Sequence, residues 1–344
     1  MSLELSEFDR RLLDALQHSV PLVPRPWEDL ARQLGATEER TVSRVAALSG
    51  AGGIIREIAG LFDAAALGYA TTLVAARCSE EHLEAAGRQA AGHPGVSHCY
   101  ARQGELNLWF TLAVGPDSTL GLDRTVTVLG QLIGAERILS LPAIRRYKLR
   151  ARFDMVSPAG SPRQAHDQPG RSAARAAAPT PEQLRAIAAL QEPLPAQPEP
   201  FLELARGRQM SAEELLVHAA DFLAAGWMRR YAAVLRHQAA GAAANVLVAW
   251  QVPPERADRF GAQAAQFGNV SHCYLRASGP GWPWNLYTMI HGRDRAEVER
   301  TVEAVAAAAG AYPRVALPTA REYKKARVRL FSPECRRWEA AVLD

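Results

Sequence analysis

The chain has 344 residues, a formal net charge of +4, a pI near 9.0 and 48% hydrophobic residues. That length allows about two to four domains with substantial cores, and so small a cationic excess makes charge placement matter more than its sum. No apolar run reaches membrane-spanning length. The acidic start, Met1-Ser2-Leu3-Glu4, lacks a signal-peptide pattern, and four cysteines without a C-x-x-C pair fit a reduced, cytoplasmic protein.

In chain order, residues 4–19 are predicted as a helix, with Phe8, Leu12, Leu13 and Leu16 at helical spacing. Pro24-Arg25-Pro26 breaks it, Trp27 to Leu34 forms a second helix that Gly35 ends, and Thr37 caps a third over Glu38 to Leu48. This is a helix-turn-helix pattern. Gly53 to Arg56 and Ile58 to Phe62 read as the two strands of a wing. A different grammar follows. Tyr69 to Ala76 is rich in strand formers, and Ser79 caps a helix to Ala91. Gly95 to Arg102 and Leu106 to Val114 are strands, 119–133 is helical, and Arg137 to Leu141 is a last strand. The order strand–helix–strand–strand–helix–strand defines a ferredoxin-like unit.

The plan then repeats. Val96-Ser97-His98-Cys99-Tyr100 recurs as Val270 to Tyr274, 174 residues later. Arg102 matches Arg276. Asn107-Leu108-Trp109 matches Asn285-Leu286-Tyr287, and Tyr147-Lys148 matches Tyr323-Lys324. So long a period means a duplicated domain pair, which in one chain mimics a homodimer about a pseudo-twofold axis. The fold class is therefore α+β, two copies of a winged helix-turn-helix plus a βαββαβ domain in an intrachain pseudo-dimer. The expected boundaries are 1–63 and 64–155 for the first copy, a linker at 156–179 rich in Ser, Pro, Ala, Gly and Arg, then 180–238 and 239–344 for the second.

Side chains alternate across a strand, so Val96, His98, Tyr100 and Arg102 are expected on one face, and the small Ser97, Cys99 and Ala101 on the other. A row of imidazole, phenol and guanidinium is not ordinary core, and His272, Tyr274 and Arg276 repeat it. On the next strand, Asn107 with Trp109, and Asn285 with Tyr287, complete a surface suited to a large planar ligand. A lone strand histidine is most often structural, and Cys99 and Cys273 read most simply as small buried thiols. The retention of the whole polar row in both copies is what favours function for the two histidines. The other seven histidines have no repeat partner and no metal-ligand spacing.

Each copy ends in a basic segment. Residues 145–152 hold five cations in eight positions, including Arg145, Lys148 and Arg152, and residues 321–329 hold five in nine, including Arg321 and Lys324. These form either a solvated face or a clamp for a polycarboxylate, on a helix turn or a frayed strand. DNA binding is disfavoured in the second copy. Its candidate recognition helix, Ser211 to Ala224, carries Glu213, Glu214 and Asp221 and no Lys or Arg, which repels phosphates. The first copy's helix carries Arg40 and Arg44 beside Glu38 and Glu39.

A winged helix before a ferredoxin-like domain resembles the Lrp/AsnC regulators. The doubled motif, Val96 to Tyr100 followed by Asn107-Leu108-Trp109-Phe110-Thr111, with Tyr147-Lys148 near the end of the copy, resembles the siroheme decarboxylases. That resemblance covers nearly the whole chain except the linker. It implies conversion of siroheme to 12,18-didecarboxysiroheme with release of two CO2, on the haem d1 or the alternative haem b route. It implies His98 and His272 as active-site histidines, as proton donors or as ligands of the substrate iron. No cofactor beyond the iron carried by the substrate is expected. Siroheme is the expected partner, with neither DNA nor membrane; further self-association and other haem d1 biosynthesis proteins are the remaining partner classes. The four-residue insertion in the second copy, with Gly279-Pro280-Gly281-Trp282-Pro283-Trp284, makes the two sites non-equivalent, and His272 beside it is the favoured histidine. The competing readings are a regulator sensing a tetrapyrrole or amino acid, and a non-catalytic haem-binding subunit.

Overall fold

A computed structural model describes residues 5–149, 178–236 and 244–343. Arg152 and most of the expected linker lie outside them. The chain divides into two compact units, and each draws on both halves of the sequence: 5–67 with 178–236, and 68–149 with 244–343, among the described residues.

In the first unit, α1 (Glu7–His18) starts at a capping box in which Ser6 and Asp9 satisfy each other's backbone N–H. Helix α2 (Pro26–Leu34) closes on left-handed Gly35, and α3 (Glu38–Ser49) starts at the Thr37 cap. The second half supplies α6 (Pro181–Leu190), α7 (Pro200–Ala205) and α8 (Ala212–Ala224), the last with a Ser211–Glu214 capping box. Buried Leu12, Leu16, Trp27, Ile187, Phe201 and Phe222 form the core, and Trp27 Nε1 donates to the Gln197 carbonyl across the halves at 2.7 Å.

The expected two-stranded wing is corrected. Residues 55–62 form one strand, β1 (Ile55–Phe62), which pairs antiparallel with β6 (Met228–Leu235), the matching strand of the other half. No turn residue stands between Arg56 and Ile58, so the chain runs straight on and finds its partner in the duplicate. The arginines of α3 are also engaged. Arg44 makes two bonds to the buried Asp9 carboxylate (2.7 and 2.9 Å), and Arg40 lies over the Phe8 ring (4.5 Å).

The second unit contains both ferredoxin-like modules. The first runs β2 (Ala70–Arg77), α4 (Leu83–Gly92), β3 (Val96–Arg102), β4 (Leu108–Val114), α5 (Gly121–Leu132) and β5 (Arg137–Leu149). The second runs β7 (Ala244–Trp250), α9 (Pro254–Ala264), β8 (Val270–Arg276), β9 (Leu286–Gly292), α10 (Arg295–Ala309) and β10 (Arg314–Lys325), followed by α11 (Pro333–Leu343). Ser79 does not cap α4, which begins a turn later; its hydroxyl instead lies 2.9 Å from His82 Nδ1.

The strands close into one eight-stranded barrel in the order β10-β3-β4-β2-β5-β8-β9-β7. Closure depends on the length of β5 and β10. The strand expected to stop at Leu141 continues to Leu149: Arg137 to Pro142 register with β2, and Ala143 to Leu149 with β8. In β10, Arg314 to Pro318 pair with β7, and Thr319 to Lys325 with β3. Up to Leu149 and Lys325, each basic segment is thus a strand that crosses to the other half, which leaves the barrel without edges. Helices pack outside over two apolar layers, and a third cluster fills the interior.

Candidate active site

Both repeated strands carry a bulge between the first and third residues of the motif. Val96 pairs with Leu112 but His98 with Thr111, and Val270 pairs with Ile290 but His272 with Met289, so Ser97 and Ser271 are the inserted residues. The bulge corrects the expected faces. Val96 joins Cys99 in the layer under the helices, and Val270 likewise joins Cys273. His98, Tyr100 and Arg102 remain in a row on the other face. The His98 and Tyr100 rings stack at 6.3 Å, and Arg102 Cζ lies 5.2 Å from the Tyr100 centroid. The second row matches, with 6.4 Å for His272–Tyr274 and 4.8 Å for Arg276 over Tyr274. Both imidazoles are half-buried, so neither is sealed in hydrocarbon.

The two guanidiniums are the unusual groups. Arg102 is 5% exposed and donates to the Leu317 carbonyl and Thr319 Oγ1, both at 3.0 Å. Arg276 donates to the Leu141 carbonyl at 2.9 Å. The Nε of each is enclosed without a hydrogen-bond partner, and among the described residues no carboxylate pairs with either. Burial pushes Arg102 down to about 10 and lowers Arg276 as well. A buried cation without a counter-ion is costly, so an anionic partner from outside the chain fits both positions.

Other expected site residues have different work. Asn107 spends its amide on both backbone groups of Cys78 (2.9 and 2.7 Å), and Asn285 does the same at Val252 (3.0 and 2.8 Å). They staple strand ends. Trp109 and Tyr287 are 1% and 2% exposed, deep in the interior cluster with Trp282, so they are core and not an open wall. The insertion loop serves that core: Trp282 Nε1 donates to Tyr287 Oη at 2.8 Å, and Tyr287 Oη to the Trp284 carbonyl at 3.1 Å.

The described clamp residues have partners within the protein. Arg145 pairs with Asp258 at 2.6 Å, and Lys148 Nζ donates to the Phe267 carbonyl at 2.6 Å. Arg321 pairs with Glu84 at 2.7 Å, and Lys324 Nζ donates to the His93 carbonyl at 3.0 Å. Lys148 and Lys324 register with Cys273 and Cys99, on the helix-covered face. Tyr147 and Tyr323 seat this arrangement. A Cβ on Gly261 or Gly87 would come within 2.3 Å of their rings, so only glycine lets the strand lie against the helix. Burial pushes the Cys99 and Cys273 thiols up to about 12, which excludes them as nucleophiles at neutral pH.

Residues missed in the sequence are those brought opposite each row by the other half. Arg146 stands opposite Tyr274, and Leu149 opposite His272. In the first row Glu322 stands opposite Tyr100, and Lys325 opposite His98. Residues directly opposite in an antiparallel pair share a face. His291, set aside for lack of a repeat partner, lies 2.9 Å through Nε2 from Ser271 Oγ. The basic segments signalled these cations, but their bulges decide which ones face inward.

Residues 66–148 and 239–324 match the family described as AsnC-like ligand binding domain, and residues 9–56 match the siroheme decarboxylase NirDL-like HTH domain. Two such modules closing one barrel around paired polar rows define a fused, two-module ligand-binding protein. The chain is 33% identical to a siroheme decarboxylase of Hydrogenobacter thermophilus over 97% of both chains. It is 31% identical to a siroheme decarboxylase NirDL subunit of Paracoccus denitrificans, covering 85% of this chain and 87% of that one. The crystal structure of the siroheme decarboxylase NirDL superposes with a TM-score of 0.77 at 30% identity over 98% of each chain. This chain belongs to the siroheme decarboxylase family.

Proposed function

We propose that this protein removes CO2 from the acetate arms of siroheme, giving 12,18-didecarboxysiroheme, with His272 as proton donor and Arg102 and Arg276 as carboxylate holders. One observation carries the assignment of the site: two guanidiniums, each with an enclosed and unpartnered Nε, share their strands with half-buried imidazoles. A similar fused NirDL structure is in complex with an iron-uroporphyrin III analogue, a macrocycle of the same class. Loss of CO2 leaves a developing carbanion that the macrocycle delocalises, and the protein's part is to fix the carboxylate and deliver a proton. An imidazole, with an ordinary pKa near 6.5, suits that delivery at neutral pH.

The second row is the better place for the reacting arm. Opposite it stand Arg146 and Leu149, a cation and an apolar side chain, whereas the first row faces Glu322, which repels a polyanion. The first row, with Arg102 and Lys325, then holds further carboxylates of the macrocycle. The regulator reading is weaker, because both arginines of α3 are engaged within the protein and α8 is acidic.

Anaerobic incubation with siroheme, followed by mass measurement, is expected to show two successive losses of CO2. A His272→Ala variant is expected to bind siroheme with an unchanged iron spectrum and to lose turnover. Binding with unchanged substrate mass in the unmodified protein would favour a non-catalytic haem-binding subunit. A changed spectrum in the variant would make His272 an iron ligand.

A further inference from the structure

Behind His272 runs a hydrogen-bond chain that the first half lacks. Ser271 Oγ lies 2.8 Å from His272 Nδ1 and 2.9 Å from His291 Nε2. Ser271 is the bulged residue, and the bulge sets its hydroxyl between an imidazole on its own strand and one on β9. In the first half, Ser97 Oγ lies 3.0 Å from His98 Nδ1, but its other partner is Thr111 Oγ1 at 2.6 Å. Ala113 occupies the place of His291, six residues after the matched asparagine. One chain therefore ends in a hydroxyl and the other in a half-buried imidazole.

We infer that His291 is a positioning residue: its neutral Nε2 accepts from the Ser271 hydroxyl, so that Ser271 Oγ accepts from His272 Nδ1–H and the acid proton of His272 is presented on Nε2. This rests on the reading of His272 as proton donor. The chain has one consistent direction when His272 is protonated, because both its ring nitrogens then donate. The Ser271 hydroxyl has two acceptors in reach, the Met289 carbonyl at 3.3 Å and His291 Nε2 at 2.9 Å; the shorter bond forms when His291 supplies a lone pair, and its surroundings keep that ring neutral. Burial comes first, then Lys325 of β10 and Arg102 of β3, and together they push it down to about 4. His272 on β8 is a further titratable group joined to it, through Ser271. The proton passed to the substrate carbon leaves from His272 Nε2, the bond to CO2 breaks, and His272 ends neutral with Nδ1–H still held by Ser271. His291 gains and loses no proton.

The test is the pH profile of single-turnover decarboxylation in the full-length protein, with siroheme affinity followed by absorbance. His291→Ala is expected to leave affinity unchanged, to slow turnover about ten-fold, the scale of an outer partner to a working histidine, and to move the alkaline limb to lower pH. His291→Gln, whose amide oxygen accepts from Ser271, is expected to restore both. Ser271→Ala serves if His291→Ala does not fold, and the Ser271→Ala, His291→Ala pair is expected to be no slower than the slower single variant. A wild-type alkaline limb in His291→Ala, or no rescue by His291→Gln, overturns the inference. His272→Ala separates the two levels. If it is inactive while His291→Ala behaves as wild type, only the positioning role fails; if it is fully active, the proton-donor reading fails.

Discussion

Replacing Arg102 with Met tests whether the rows were built for an anion that the chain does not supply. The Arg102 guanidinium is buried, and burial pushes it well below its ordinary value, to about 10. A basic group whose folded pKa lies below its unfolded value opposes folding wherever it is charged. At neutral pH that amounts to about 3 kcal/mol, at roughly 1.4 kcal/mol per unit. The substitution removes this cost. It also removes the bonds to the Leu317 carbonyl and Thr319 Oγ1, about 1 kcal/mol each, and the contact over Tyr100, about 1 kcal/mol. The terms nearly cancel, so Arg102→Met is expected to change unfolding free energy by no more than about 1 kcal/mol in denaturant titrations. Breaking a buried ion pair would instead cost about 3–5 kcal/mol. Siroheme at a hundred times its Kd stabilises the unmodified protein by about 2.7 kcal/mol. Loss of one charge-assisted bond, about 2 kcal/mol, cuts that to about 1 kcal/mol at the same concentration. A variant that loses 3 kcal/mol or more without ligand, yet keeps the full ligand-induced gain, would refute this: Arg102 would be a structural cation.

Three further outcomes follow from the geometry. Trp282→Ala opens the barrel interior and is expected to cost about 3–5 kcal/mol of stability while leaving KM for siroheme unchanged; a KM effect with intact stability would return the insertion loop to the site. Burial and then Lys324 push His93 down to about 4, so the folded state binds fewer protons than the unfolded chain between about pH 4 and 6.5. Stability is therefore full above about pH 6.5 and falls by up to about 3 kcal/mol toward pH 4, with His291 acting in the same direction; an unfolding free energy flat over that window would contradict this. Cys99 and Cys273 are expected to resist iodoacetamide at pH 8 until denaturant is added, read by peptide mass, and labelling of either in the native protein would show that its thiol is accessible.

The duplication and the two βαββαβ modules were legible because each element states itself locally. Capping residues, helical spacing and strand formers lie within one window, and α1 to α3 and β2 to β4 lie within a few residues of their expected places. What was not legible depends on distant partners. The expected wing is a ribbon between β1 and β6, strands 173 residues apart at their starts. The length of β5 is fixed by pairing with β8 of the other half, and no window around Leu141 contains that strand. The same limit separates the site residues. His98, Tyr100 and Arg102 share a face because strands alternate, which sequence shows. Trp109 and Asn107 looked equally suitable, but one was taken by the core and the other by a strand end.

Cross-pairing also explains how two copies of one pentapeptide come to differ. Each row is faced by the basic strand of the opposite half, so its chemistry depends on residues it did not inherit. Arg146 and Leu149 sit at the places of Glu322 and Lys325 in the duplicate, and those exchanges alter the opposite row in each case. His291 in place of Ala113 does the same for the chain behind the histidine. A barrel closed by exchange of long strands needs both modules, yet nothing in its closure requires the two rows to stay alike. The residues that set the difference lie on strands next to the row they affect, β5 and β9 beside β8, and β10 beside β3.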